Sequence, residues 1–115
     1  MHEDAARAFY AAVDEGAYDQ LEELLTPEFV HDRPDQTLRG REAFISFMRD
    51  ERPLTETRHD IEAVYVGESE LAVRGTLRDA DDERLLKFVD IHEGGERISA
   101  ITTYTTQVAS RLTEQ

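Results

Sequence analysis

Beyond Pro53 the spacing of apolar residues changes from three and four to two. That switch restricts the chain to folds in which helices come first and consecutive strands follow. Before it, Ala5, Ala6, Phe9, Tyr10 and Val13 form one apolar stripe, which predicts a helix over 3–15 stopped by Gly16. Leu21, Leu24 and Leu25 predict a second helix over 18–25, ended at Thr26-Pro27, with Pro27 opening a short turn. Phe29 and Val30 begin an extended piece, Pro34, Asp35 and Gln36 make a turn, and a third helix over 41–50 is expected to bury Ala43, Phe44, Phe47 and Met48. After it come four expected strands, over 57–66, 71–78, 84–92 and 97–107, separated by connections of hairpin length. The order predicts an α+β domain whose helices pack on one face of an antiparallel sheet.

The 115 residues suffice for one core, so residues 1–115 are read as a single domain. No apolar run could span a bilayer, and the opening Met1-His2-Glu3-Asp4 lacks a basic leader, which predicts a cytoplasmic protein. The absence of cysteine excludes thiolate catalysis and cysteine-ligated zinc. Acidic residues number 26 against 13 basic ones, a net charge of -13, and Lys87 is the sole lysine. This balance argues against nucleic acid and anionic membranes as partners. Dense carboxylates with almost no lysine also resemble the proteins of salt-accumulating halophilic archaea, which concerns the host rather than the reaction.

Separating the middle strands by parity gives an odd set of Leu71, Val73, Leu77, Leu85, Val89 and Ile91, and an even set of Ala72, Arg74, Thr76, Leu86, Phe88, Asp90 and His92. The mixed even set is expected to wall a pocket, and the apolar odd set to meet a second subunit. Asp90 lies mid-strand among apolar neighbours, where aspartate is depleted. It is therefore exposed, ion-paired with a partner such as Arg74, or functional, and if buried it should stay protonated near neutral pH. Asp32, before a turn, is by itself a turn or capping residue. His31-Asp32, His59-Asp60 and His92-Glu93 are adjacent pairs whose side chains diverge on a strand, so no metal site is expected.

Phe9-Tyr10-Ala11-Ala12-Val13-Asp14-Glu15-Gly16, Leu24-Leu25-Thr26-Pro27-Glu28-Phe29-Val30-His31-Asp32, Gly40-Arg41-Glu42-Ala43-Phe44 and Asp90-Ile91-His92 with Gly94-Gly95-Glu96-Arg97-Ile98 follow one another in an order that resembles the nuclear transport factor 2-like superfamily. The nearest style is that of SnoaL-like proteins and ketosteroid isomerase. The resemblance covers essentially the whole chain. It implies a cone-like curved antiparallel sheet around three helices, a homodimer and a deep apolar cavity.

By position, Asp32 matches the isomerase's proton-shuttling base and Asp90 the protonated aspartic acid that donates to the oxyanion. Phe88, Ile101, Thr103 and Thr105 would line the cavity, with Arg74 on the pocket side. Phe9 falls where the isomerase carries its oxyanion tyrosine, and Tyr10 is rotated from it by about 100° on a helix. The resemblance implies a small-molecule ligand and no cofactor. It leaves two readings: an isomerase-, cyclase- or hydratase-type enzyme using aspartate acid/base chemistry on an apolar carbonyl compound, or a ligand-binding or dimerisation module without chemistry.

Overall fold

The computed structural model describes residues 3–52 and 56–107; Pro53, the expected boundary between helices and strands, lies outside them. Helix α1 (Glu3–Glu15) buries Ala6, Phe9, Tyr10, Ala12 and Val13. It closes on Gly16 at φ +72°, where Gly16 N–H donates to Val13 O and Ala17 N–H to Ala12 O, the paired C-terminal bonds that a left-handed glycine permits. Helix α2 (Tyr18–Leu24) buries Leu21 and runs directly into strand β1 (Leu25–Asp32), which turns back through the short β2 (Thr37–Arg39). The expected stop at Pro27 is not a turn. Pro27 lies within β1, in an irregular stretch between the pairings Leu25↔Ile98 and Val30↔Ala100, where a proline costs no regular ladder bond.

Helix α3 (Arg41–Ser46) widens into a five-residue π turn, Phe47–Glu51, and Arg52 N–H reaches back to Phe47 O. Phe44, Ile45 and Met48 face the core, Phe47 is half-buried and Ala43 is exposed, so the buried stripe is displaced from the expected one.

Strands β3 (Arg58–Val66), β4 (Glu70–Arg78), β5 (Arg84–Gly94) and β6 (Ile98–Gln107) form the expected antiparallel meander. The sheet has six strands, in the order β2-β1-β6-β5-β4-β3, and β1 runs parallel to β6, so the curved sheet is mixed rather than purely antiparallel. The three helices and the inner face of this sheet enclose a core that includes Leu21, Leu25, Phe29, Phe44, Leu71, Val73, Ile98 and Ile101.

The parity assignment needs correction. Arg78 pairs with Arg84, but from Leu77↔Leu86 onward Leu85 is an extra residue and every later pairing joins odd to even: Gly75↔Phe88, Val73↔Asp90, Leu71↔His92. A one-residue bulge turns all following side chains over. The inner face therefore combines odd residues of β4 with even residues of β5. Arg74, opposite Val89, lies on the outer face, as do Ala72, Ile91 and the exposed Tyr104.

Gly75 makes room for this arrangement. A Cβ there would lie 2.5 Å from Asp60 O and 2.8 Å from the Phe88 ring. Gly75→Ala is expected to displace Phe88 and destabilise the fold by about 1–3 kcal/mol, measured by urea unfolding.

Candidate functional site

Between α1, α3 and the inner face of the sheet lies a cavity of about 230 Å³. Phe9, Val13, Phe44, Met48, Leu77, Leu86 and Phe88 give it an apolar wall, and Tyr10, His31, His59, Asp90 and Thr103 its polar groups. Arg33, Pro34, Arg52, Thr57 and Thr105 complete the lining.

The centre is Asp90, placed by β5 and only 5% exposed. Tyr10, one helical position after Phe9, donates its hydroxyl to Asp90 Oδ2 at 2.5 Å, and Thr103, directly across the β5–β6 ladder, donates to Oδ1 at 2.5 Å. Each neighbour reaches a histidine: Tyr10 Oη lies 2.8 Å from His92 Nε2, and Thr103 Oγ1 lies 2.8 Å from His31 Nε2. The result is one chain of four hydrogen bonds, His92–Tyr10–Asp90–Thr103–His31, which needs four protons. Tyr10 and Thr103 supply one each. The histidines supply the other two when both are protonated on Nε2, and each Asp90 oxygen then accepts one bond whether the carboxyl is ionised or carries a hydrogen of its own on a remaining lone pair. The chain can therefore hold a neutral or a charged Asp90 without moving a heavy atom.

Burial favours the neutral form. Desolvation raises the pKa of Asp90 against the lowering effect of its hydrogen bonds to Thr103 and Tyr10. The Tyr10 hydroxyl is likewise pushed up, by burial first and by Asp90 second, and stays neutral. Burial also lowers His31 to about 3, helped by Arg33, and His92 to about 4. Both imidazoles are thus uncharged at neutral pH, and their Nδ1 atoms are buried with no partner among the described residues.

A second pair adjoins the Tyr10 ring. Asp14, four residues after Tyr10 on α1, accepts the backbone N–H of His59 at 2.9 Å on Oδ2, and Oδ1 lies 2.6 Å from His59 Nδ1. The His59 ring packs 5.1 Å from Tyr10 and 5.5 Å from Phe88, centroid to centroid.

Of the residues expected at the site, Phe9, Tyr10, Phe88, Asp90, Thr103 and Thr105 come together on the cavity wall. Tyr10 rather than Phe9 occupies the hydroxyl position beside Asp90, since α1 turns both rings inward. Three do not join them. Asp32 follows His31 on β1 and so points to the opposite face, exposed, where it accepts a 3.0 Å bond from Thr37 Oγ1 in the β1–β2 hairpin. It is a hairpin residue and not a cavity base. Arg74 sits on the outer face, 3.8 Å from Glu62 and stacked over Tyr65, and is no partner of Asp90. Ile101 is 1% exposed, in the core beside the wall rather than on it. The residues that sequence reasoning missed are His31, His59 and Asp14, joined to the cavity only by long-range packing. Among the described residues no three His, Asp or Glu side chains cluster to hold a metal ion, and no helix is long and apolar enough to cross a membrane.

Three helices on a curved six-stranded mixed sheet make a nuclear transport factor 2-like fold, which solved structures share. A structure described as NTF2-like, of unknown function, from Cytophaga hutchinsonii superposes with a TM-score of 0.77 at 11% identity, over 97% of this chain and 93% of that one. A candidate ketosteroid isomerase from Kribbella flavida gives 0.79 at 20% identity, over 91% and 77%. An LEH-like epoxide hydrolase from Mycobacterium tuberculosis gives 0.77 at 17%, over 90% and 80%. No curated protein matches the chain. The model of the SnoaL-like domain matches residues 6–112, and the chain belongs to that family.

The depressed histidines have a consequence for stability. Their folded pKa values lie below the ordinary 6.5, so the stability they contribute is complete above about pH 6.5 and is lost as pH falls toward 4 and 3. Thermal melts should show the wild-type midpoint falling across that window. His31→Gln, which cannot take up the proton, should fall less.

Proposed function

We propose that this SnoaL-like domain is a cofactor-independent enzyme of isomerase or cyclase type, moving a proton on a small, largely apolar carbonyl compound. The observation that carries the reading is Asp90: a carboxyl buried in an apolar cavity, its pKa raised by desolvation, and aimed by two 2.5 Å hydrogen bonds. A neutral carboxyl in such a place donates a hydrogen bond to an oxygen on which negative charge develops, and it strengthens that bond as the charge grows. Water would compete for the same oxygen, and the phenyl and aliphatic wall limits it.

The alternative of a binding module without chemistry accounts less well for the cluster. A pocket that only sequesters an apolar ligand has no need of a buried carboxyl whose desolvation costs on the order of several kcal/mol if it ionises. Structural relatives bear the names isomerase, polyketide cyclase and epoxide hydrolase, and this spread of names fits acid/base chemistry in a common cavity.

The test is a panel of cyclic and unsaturated ketones, scored for binding by thermal shift in high salt and for turnover by NMR. Asp90→Asn keeps the shape of the carboxyl and one acceptor oxygen but cannot donate as an acid. It is expected to fold and bind like the wild type while turnover falls at least about a hundredfold. Turnover unchanged in Asp90→Asn, or no ketone bound by the wild type, would contradict the reading.

A further inference from the structure

We propose that the Asp14–His59 pair is the proton acceptor of this cavity, with His59 Nε2 removing a proton from the carbon beside a carbonyl whose oxygen is held by Asp90. The inference rests on the carbonyl reading above and adds to it the base it lacks, since Asp32 faces away from the cavity.

Elimination among the described histidines leads to His59. His31 and His92 spend Nε2 on Thr103 and Tyr10, and their Nδ1 atoms are sealed from solvent. His59 differs in both respects. Its Nδ1 faces a carboxylate, which can only accept, so Nδ1 carries the hydrogen and Nε2 presents a lone pair. Among the described residues Nε2 has no hydrogen-bond partner, and it is not one of the buried unpartnered atoms. His59 lines the cavity.

Asp14 acts as a positioning residue. One oxygen fixes the His59 backbone and the other fixes the ring, so α1 sets both the location and the tautomer of the imidazole. The Tyr10 side chain touches both base and acid: its ring centroid is 5.1 Å from that of His59, and its hydroxyl is 2.5 Å from Asp90. A small ketone lying along this ring meets a lone pair at one end and a donor at the other.

The step balances without a co-reactant. The C–H bond breaks, its electron pair forms the carbon–carbon double bond of an enolate, and the carbonyl π pair moves to the oxygen, whose negative charge accepts a hydrogen bond from Asp90. The proton resides on Nε2, giving an imidazolium beside the Asp14 carboxylate. Return of that proton to another carbon completes an isomerisation and restores the neutral ring.

Proton exchange reads this step without knowledge of the natural substrate. β-Tetralone in deuterated buffer is followed by NMR for loss of the protons beside its carbonyl, with thermal shift recording folding and binding for each variant. The wild type is expected to accelerate the exchange. His59→Gln should bind β-tetralone yet exchange it about a hundredfold more slowly, and added imidazole should restore exchange in His59→Gly. Asp14→Asn, which loosens the ring without removing it, should retain an intermediate rate. Exchange by His59→Gln at the wild-type rate, with Asp90→Asn still impaired, would overturn the dyad and leave the carbonyl reading standing. Failure of the wild type to bind or exchange β-tetralone would overturn both.

Discussion

The desolvation of Asp90 is the constraint around which the rest of the molecule is arranged. A carboxyl 5% exposed inside an apolar cavity is tolerable only if its oxygens are hydrogen-bonded or its charge is removed. Here the first condition is met by residues far apart in the chain, Tyr10 from the first helix and Thr103 from the last strand, while desolvation works toward the second. Their bonds tie α1 to β5 and β6, so the polar cluster couples the placement of the helix to the closure of the sheet. The phenyl and aliphatic groups around it keep water from relieving the carboxyl, and the same groups shape the space in which a ligand would lie.

The cavity also separates two kinds of titratable group. Tyr10, His31 and His92 are buried and held neutral, Asp90 is buried with its pKa raised by desolvation, and the four share one run of hydrogen bonds. His59 and Asp14 are half-buried and form their own pair beside the Tyr10 ring. One region therefore favours uncharged donors, while the other has a carboxylate beside an imidazole and can accommodate a new positive charge. Enzymes that move protons on carbon need both environments within one ligand's length.

Much of the fold was legible because it is written in periods. The spacing of Phe9, Tyr10 and Val13 and the alternation beyond residue 57 place the helices and the meander within a few residues of their observed bounds. Asp90 could be singled out because aspartate is unfavourable among Leu86, Phe88 and Ile91. Arg74 was misplaced because an extra residue at Leu85 reverses which side of β5 faces which side of β4, and no composition signal marks such a bulge. Asp32 was misplaced because Phe29 and Val30 are both apolar, so the strand does not declare which of His31 and Asp32 turns inward. The Asp14–His59 pair spans 45 positions and depends on how α1 docks on β3, which periodicity within either element cannot reveal.

The central claim is that Asp90 is an uncharged acid in the folded protein, and its own titration tests this most directly. Carbon NMR on protein labelled at the aspartate carboxyls should show one resonance, absent from Asp90→Asn, that keeps its protonated shift after the other aspartates have ionised near their usual pKa of about 3.9. An Asp90 resonance that moves with the rest would contradict the account, because a carboxylate already ionised at neutral pH could not donate to a developing oxyanion.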